Sequence, residues 1–336
     1  MIKENFIELF ENSFKENWDL YVFTDYGEDV TMKYSEVAIE IAKLHLLFEK
    51  TNIKKGDKIA LIGRNTSQWA CTYLAVVTYG AIIVPILQDF NSNDVHHIVN
   101  HSESTFLFLS DYIWDNLEEE KMPNIRAVFS LTDFRCIVQK DGEHIQKIVK
   151  ALPSYFTETY PNGYTAKDIS YVKKDNKELV LINYTSGTTG FSKGVMLSGN
   201  SLAGNITFAL STGLIKPKYR ILSFLPLAHA YGCAFDFLTP VCGGSHITFL
   251  GKIPSPKVLI KAFEEVKPSV IFTVPLILEK IYKNQIQPKL NNRTLKLVLN
   301  IPILDNQILT QFRKKLTTAF GGEFSQLIIG GAALNK

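Results

Sequence analysis

The sequence predicts an α/β fold in which mostly parallel sheets are flanked by helices in two lobes. Short apolar runs typical of buried strands alternate with amphipathic stretches typical of helices along most of the chain. The chain has 336 residues, 46% of them hydrophobic, which is enough for a large core. Because a repeated strand-then-helix order favours parallel strands, we expect ligands to bind outside the carboxyl ends of those strands.

The predicted elements follow from the spacing of apolar residues and from turn residues. We expect helices over residues 2–17, 35–49, 69–79, 93–101, 112–121, 141–151, 200–210 and 256–266, another through Phe237 and one starting at Leu276, with Ser35 and either Ser198 or Asn200 as N-caps. We expect strands over residues 21–24, 58–62, 81–86, 105–109, 125–130, 179–182, 220–225, 246–250, 270–273 and 326–329. Residues 131–178 are expected to be mostly irregular.

Composition excludes several classes of protein. A formal net charge of +3 without a long block of one sign does not favour nucleic acid as a partner. The N-terminus has acidic residues and no apolar core of a signal peptide, and the four cysteines form no C-x-x-C pair, so a reducing cytoplasm is expected. Residues 65–88 carry no charge, yet Gly80 and Pro85 interrupt them, which favours a buried helix and strand over a membrane span.

Residues 182–195 (INYTSGTTGFSKGV) combine the features of an anion-binding turn. A buried strand runs into a loop of glycines, hydroxyls and one lysine. The glycines allow positive φ and close approach of backbone N–H groups to phosphate oxygens, and the side chains add donors. The glycines are Gly187, Gly190 and Gly194; the other donors are Thr185, Ser186, Thr188, Thr189, Ser192 and Lys193.

Other interpretations of this loop fit less well. A Walker loop needs a hydroxyl residue directly after the lysine, whereas Gly194 follows Lys193. A dinucleotide fingerprint needs G-x-G-x-x-G at a strand-to-helix turn, and that spacing does not occur here. A flexible serine- and threonine-rich linker is the remaining alternative, and the preceding strand, the spaced glycines and the lone cation weigh against it.

Histidines form two further candidate features. His97 and His101 stand four residues apart on one expected helix face with His96 beside them, but no further ligand has metal-site spacing, so surface or structural roles are favoured. His229 follows a strand end in an apolar, aromatic setting where a neutral imidazole can line a cleft. Taken alone, His229 is more typical of an ordinary core or loop histidine.

Residues 184–195 (YTSGTTGFSKGV) closely resemble the signature loop of the adenylate-forming superfamily, which includes acyl-CoA synthetases, luciferases and peptide-synthetase adenylation domains. Three other segments carry the same resemblance. Residues 224–231 resemble the P-x-x-H segment, although Gly232 stands where long-chain synthetases often have Glu; residues 330–334 resemble the G-G-A-P-L turn, with Ala333 replacing proline; and residues 273–282 resemble a V-P-x-x-x-E-K-I-Y segment of long-chain acyl-CoA synthetases.

The resemblance implies a two-step reaction in which a carboxylate and ATP give acyl-AMP and pyrophosphate, and CoA then displaces AMP to form a thioester. It implies ATP, Mg²⁺ and CoA as cofactor and co-substrates, a fatty acid or other carboxylate as partner, no transmembrane segment, and room for peripheral membrane contact. It implies catalytic roles for Lys193, Thr188 and His229. The residues implied to bind the acyl substrate are His229, Ala230, Tyr231 and Gly331, and the residue implied to bind the metal is Thr185. The residues that the resemblance implies for ATP binding are Thr185, Ser186, Gly187, Thr188, Thr189, Gly190, Ser192, Lys193, Gly194, Gly330, Gly331 and Ala332.

The resemblance covers the chain but not the whole family architecture. It implies that residues 1–336 are an incomplete N-terminal adenylation domain, with residues 51–195 in a first α/β lobe and residues 1–50 and 196–336 in a second lobe that is cut short. The family's later metal-binding Glu, its ribose Asp and its small C-terminal domain with a catalytic lysine have no counterpart before Lys336. We therefore expect a fragment of a longer protein, with little or no turnover by itself.

Three functions remain open at the level of sequence. The first is a long-chain acyl-CoA synthetase. The second is an adenylating enzyme that passes its acyl group to a carrier protein. The third is a non-catalytic nucleotide-binding or interaction module.

Overall fold

A computed structural model describes residues 2–140, 142–185, 192–283 and 317–333. Its α-helices are α1 (Phe6–Glu16), α2 (Tyr34–Lys50), α3 (Ser67–Tyr79), α4 (Ser92–His101), α5 (Asp111–Trp114), α6 (His144–Thr159), α7 (Gly199–Ser211), α8 (Thr239–Cys242), α9 (Pro256–Val266) and α10 (Pro275–Ile281), with a π-helix at Gly232–Leu238. Its strands are β1 (Tyr21–Asp25), β2 (Val30–Lys33), β3 (Lys58–Ile62), β4 (Ile82–Ile86), β5 (Ser104–Leu109), β6 (Ala127–Ser130), β7 (Cys136–Gln139), β8 (Leu179–Thr185), β9 (Lys193–Ser198), β10 (Arg220–Ser223), β11 (His246–Phe249), β12 (Val270–Thr273) and β13 (Gln326–Ile329).

The largest sheet has seven strands in the order β7-β6-β5-β3-β4-β8-β9. Its five central strands run parallel, and only the edge strands β7 and β9 run antiparallel to their neighbours. Alternate residues of β3 enter two different cores, with Ile59 and Leu61 on one face and Ala60 and Ile62 on the other. Burial on both faces explains why these strands are continuous apolar runs in the sequence.

Two smaller sheets complete the described structure. A four-stranded sheet has the order β10-β11-β1-β2, in which the N-terminal β1 pairs in parallel with the distant β11. A two-stranded sheet joins β12 and β13 in parallel. The α/β class with mostly parallel sheets is therefore confirmed, whereas the division of the chain into two lobes stays a prediction.

Most of the expected long elements are confirmed, and four local expectations outside the signature segment are wrong. Helix α2 begins at Tyr34 rather than after a Ser35 cap, because the Glu36 carboxylate accepts the backbone N–H of Lys33 at 2.7 Å. The helix expected over 112–121 is split into α5 and a short 3-10 turn, because the N–H of Glu118 donates to His96 Nε2. The other two are the unforeseen strand β7 and the continuation of α6 past Pro153 to Thr159 within 131–178.

The uncharged stretch 65–88 folds as α3 and β4, as expected. Helix α3 ends at Gly80, whose φ is 98°, and β4 is buried throughout. Within the part of the chain that the structure describes, no helix has both the length and the apolarity needed to cross a bilayer.

A buried carboxylate joins the four-stranded sheet to α3. Asp25, at the end of β1, accepts hydrogen bonds from both the backbone N–H and the hydroxyl of Ser67, in the first turn of α3. Burial raises the pKa of Asp25 above its ordinary value of 3.8, although the Ser67 bonds act in the opposite direction. The folded protein therefore binds the carboxyl proton more tightly than the unfolded chain does.

We expect the Asp25 carboxyl to lower the free energy of unfolding as the pH rises from the pKa that it has in the unfolded chain through its raised pKa in the folded protein. Asp25→Asn keeps an acceptor for the Ser67 N–H and a partner for its hydroxyl but cannot ionise. The variant should therefore gain free energy of unfolding relative to the wild type as the pH rises above the ordinary Asp pKa of about 4, as measured by urea unfolding at each pH. A difference that stays constant with pH would show that Asp25 titrates as it does in the unfolded chain.

Candidate functional site

A cavity of about 470 Å³ lies where strands of all three sheets end. Arg64 and Asn65 follow β3, Gln88 and Asp89 follow β4, and the remaining lining residues follow β10, β11 and β12 or lie on α9 and α10. Its apolar wall includes Phe224, Leu225, Leu250, Ile253, Leu259, Val274, Leu276, Ile277 and Ile281. The cavity thus occupies the carboxyl ends of parallel strands, the edge that the sequence predicted for ligands.

The described ends of the signature segment belong to two antiparallel strands, β8 and β9. Thr185, the last residue of β8, lies directly opposite Lys193, the first residue of β9. Both residues are exposed, whereas Ser192 is buried. The expected nucleotide-binding residues Ser186, Gly187, Thr188, Thr189 and Gly190 lie outside the described residues. The structure therefore describes both arms of the hairpin, and we call the paired strands β8 and β9 the β8–β9 hairpin.

Gly194 corrects one expectation about this hairpin. It was expected to supply positive φ, but it lies in β9 and has no positive φ. Its lack of a side chain serves packing instead, because a Cβ would stand 3.0 Å from Ile182 and 3.2 Å from the Tyr184 ring. The Tyr184 hydroxyl in turn lies 2.7 Å from Nδ1 of His101.

The histidine cluster of α4 has structural contacts. His101 pairs with Tyr184, and His96 Nε2 accepts the N–H of Glu118 at 3.0 Å. No group of three or more His, Cys, Asp or Glu side chains in the described ranges is placed to hold a metal ion. These contacts agree with the structural interpretation of the cluster.

His229 lies on the cavity wall in the turn between β10 and the π-helix. The backbone N–H of Tyr231 donates to His229 Nδ1 at 3.3 Å, and the carbonyl of His229 accepts from the Cys233 N–H at 2.8 Å. An acceptor role for Nδ1 leaves the proton of the neutral ring on Nε2. The exposed imidazole can therefore donate a hydrogen bond from Nε2 to an acceptor such as a carboxylate.

Side chains from other elements hold the backbone that precedes His229. The Asn65 amide donates to the Leu225 carbonyl at 2.7 Å and accepts the Leu227 N–H at 3.2 Å. Asp236, fully buried in the π-helix, accepts the Leu225 N–H at 3.2 Å. Burial raises the pKa of Asp236 well above its usual range, although the backbone N–H groups act to lower it. A π-helix at this point is typical of functional sites.

Close packing around residue 232 explains why a glycine stands where long-chain synthetases often have Glu. A Cβ on Gly232 would stand 2.4 Å from the backbone carbonyl oxygen of Pro226, which has no room to move without shifting the turn. Any larger side chain would therefore require a different path for the segment that carries His229.

The terminal glycine turn packs against the same segment. A Cβ on Gly330 would come within 2.6 Å of the Tyr231 ring, and the Tyr231 hydroxyl donates to the Ile328 carbonyl at 3.3 Å. Burial raises the pKa of Tyr231 to about 12, so this hydroxyl remains a donor at neutral pH. Gly331 has a φ of 79° and is exposed, as are Ala332 and Ala230, which does not line the cavity.

The structure thus brings His229, Tyr231 and Gly330 together, as the sequence suggested, and adds polar groups that sequence analysis missed. Arg64 lies 5.1 Å from the Tyr112 ring centre, and Lys252 lies 5.8 Å from that of Tyr26. Both cations line the largely apolar cavity, together with the opposite charge of Asp89. They follow strand ends without any motif, so only their position after apolar runs could have indicated them.

An α/β fold with a largely apolar cavity at the carboxyl ends of its strands defines a class of proteins that bind small ligands at that edge. Residues 10–336 match the model of the AMP-binding enzyme family, and the chain belongs to that family, the adenylate-forming superfamily.

Curated relatives agree with this membership. The chain is 28% identical over 283 residues to "Long chain acyl-CoA synthetase 5" of Arabidopsis thaliana, covering 79% of this chain and 40% of that protein. It is 23% identical over 301 residues to "Long-chain-fatty-acid--CoA ligase 5" of Rattus norvegicus, covering 82% and 42%. The chain therefore spans about two fifths of the length of these relatives.

Solved structures show the same fold at low sequence identity. Apo MatB from Rhodopseudomonas palustris has a TM-score of 0.71 at 16% identity, with 98% of this chain and 56% of that chain covered. The inhibitor-bound N-terminal domain of FACL13 from Mycobacterium tuberculosis has a TM-score of 0.71 at 17% identity, with 99% and 71% covered. The expected fold, the N-terminal domain of an adenylate-forming enzyme, is confirmed over part of each of those chains.

Proposed function

We propose that this chain is the part of an acyl-CoA synthetase that binds ATP and a long-chain fatty acid. The observation that supports the proposal most is the joint placement of an apolar cavity of about 470 Å³ and the outward-facing His229 at the strand ends. A cavity of this size suits a small organic ligand, and its apolar wall suits an acyl chain. The relatives named long-chain acyl-CoA synthetases support the same substrate class.

The residues of the site divide the work of adenylation. Two like-charged reactants, a carboxylate and a triphosphate, must approach each other, so catalysis depends on donors and cations placed where charge builds up. Lys193 supplies a cation at the exposed end of β9, and the hydroxyls of Thr185 and Thr188 supply donors. His229 Nε2 orients the carboxylate, and the exposed Gly331 lets the adenine and the acyl group lie against backbone, while Gly330 leaves room for the Tyr231 ring.

Mg²⁺ fits this site only as a companion of ATP. The hydroxyl of Thr185 is a hard oxygen donor at the exposed end of β8. The described ranges offer no cluster of acidic or imidazole side chains that would hold the ion by protein alone. Held by the Thr185 hydroxyl together with ATP, the ion would supply positive charge that offsets the negative charge of the leaving pyrophosphate.

The test uses the whole protein that contains this chain. Palmitate-dependent exchange of labelled pyrophosphate into ATP should be observed, followed by palmitoyl-CoA formation when CoA is added. Exchange with transfer to a carrier protein but not to CoA would favour the carrier-dependent alternative. ATP binding without any acid-dependent exchange, over short and long acids, would support the non-catalytic module and refute the proposal.

A further inference from the structure

Asn183 is a buried amide with no role in the site as described so far. It lies in β8, two residues before Thr185, and is only 9% exposed. Its Nδ2 donates to the carbonyl of Ala228 at 3.1 Å, across 45 residues of sequence. Burial makes this bond consequential, because a carbonyl left without a donor in such a place loses its hydration without compensation.

The Ala228 carbonyl belongs to the peptide unit that leads into His229. Asn183 therefore fixes the orientation of that peptide plane. Asn65 separately fixes the carbonyl of Leu225 and the N–H of Leu227. Within the segment that these two side chains hold, the Tyr231 N–H donates to His229 Nδ1 at 3.3 Å and so orients the ring.

One strand thus carries two parts of the proposed site. Beyond Asn183, β8 continues into the hairpin that we propose to hold the phosphates, and the side chain of Asn183 holds the peptide that carries His229. The strand is paired on both edges, with β4 on one side and β9 on the other. Among the contacts that hold the His229 segment, the Asn183 bond is therefore the one that ties it directly to the strand leading into the hairpin.

We propose that Asn183 is a positioning residue that sets where the His229 imidazole stands relative to the β8–β9 hairpin, and thereby how the acid carboxylate is aligned with ATP. The inference rests on the proposed function for its catalytic consequence. Its structural part concerns His229 alone. A displacement of about 1 Å in such an alignment can lower the rate by about 100-fold.

The structural part is tested by NMR on the ligand-free chain. Long-range ¹H–¹⁵N spectra of the imidazoles report which ring nitrogen accepts a hydrogen bond, and His229→Gln identifies the His229 signals. Asn183→Leu removes the donor at similar volume and should shift the two ¹⁵N signals of His229. Asn100→Leu is the matched control, because Asn100 also donates its amide to a distant carbonyl, that of Lys121 at 2.7 Å. The control should leave the His229 signals in place.

The catalytic part is tested by pyrophosphate exchange in the whole protein. Asn183→Leu should lower kcat by about 10- to 100-fold and raise the KM for palmitate, while the KM for ATP stays within about twofold. An equal increase in the KM values for palmitate and ATP would overturn the proposal. Unchanged ¹⁵N signals of His229 would overturn it as well. If Asn183→Leu does not fold, Asn183→Ala takes its place, and failure of both variants beside a folded control would mean that the bond is only structural and the proposal is wrong.

The two proposals fail in different ways. If the wild-type protein shows no exchange with any acid, the proposed function is refuted. The NMR comparison of Asn183→Leu with Asn100→Leu would still decide whether Asn183 positions His229.

Discussion

Lys193→Ala is expected to lower the rate of acid-dependent pyrophosphate exchange in the whole protein by about 10²- to 10³-fold. Lys193 is the first residue of β9, is exposed, and lies opposite Thr185 at the mouth of the hairpin. An ammonium at this position is available to the phosphates of ATP, where negative charge increases as pyrophosphate leaves. Removal of a preorganised cation therefore raises the barrier more than it weakens ground-state binding.

Two variants make the Lys193 result specific. Lys193→Arg keeps the charge but changes its shape, so it should retain more activity than Lys193→Ala. Lys177→Ala removes another exposed lysine, which stands two residues before the start of β8 and so at the opposite end of that strand from Thr185. This variant should leave the exchange rate unchanged. Exchange by Lys193→Ala at the wild-type rate would refute the assignment of the hairpin to ATP.

Phe237→Ala is expected to reduce the free energy of unfolding by about 3–5 kcal/mol. Phe237 belongs to the π-helix and is 0% exposed. Its ring centre lies 5.4 Å from that of Tyr73, 6.0 Å from that of Trp69 and 6.2 Å from that of Phe23. The ring therefore joins the π-helix, α3 and β1, and its removal leaves a cavity that rigid aromatic neighbours cannot fill.

Urea unfolding at equilibrium measures this loss. Phe208→Ala is the matched control, because Phe208 lies on α7 and is 64% exposed, and a change there should stay within about 0.5 kcal/mol. A loss for Phe237→Ala no larger than that of the control would show that the aromatic cluster does not connect these elements.

Sequence patterns predicted the fold wherever the pattern was local and strong. The apolar strands β3 and β4 and the helix α3 were anticipated because they are buried on nearly all sides, which leaves continuous apolar letters. Strand β9 was not anticipated, because its burial is weak and its Val195 and Met196 side chains are exposed. The signature segment therefore looked like a loop, whereas antiparallel pairing with β8 places its residues from Lys193 onward in a strand.

The residues of the candidate site likewise separate into those that sequence motifs indicated and those that sequence analysis missed. Motif letters alone indicated Lys193, His229 and the glycine turn, because each motif is contiguous in sequence. Gly194 was assigned the wrong physical role, because the letters cannot show that the Tyr184 ring occupies the space of its Cβ. Asn65, Asn183 and Asp236 were missed, since each is an ordinary polar residue until its partner is known.

The sequence by itself determined the alternation of strands and helices, the family and the residues of the motifs, because periodicity and contiguous motifs are local properties of a chain. Only the tertiary structure decided which side chains hold the His229 segment. The bond from Asn65 to Leu225 spans 160 residues and that from Asn183 to Ala228 spans 45. Such bonds form because packing of the sheets brings distant strand ends to one edge, and no local pattern records that proximity.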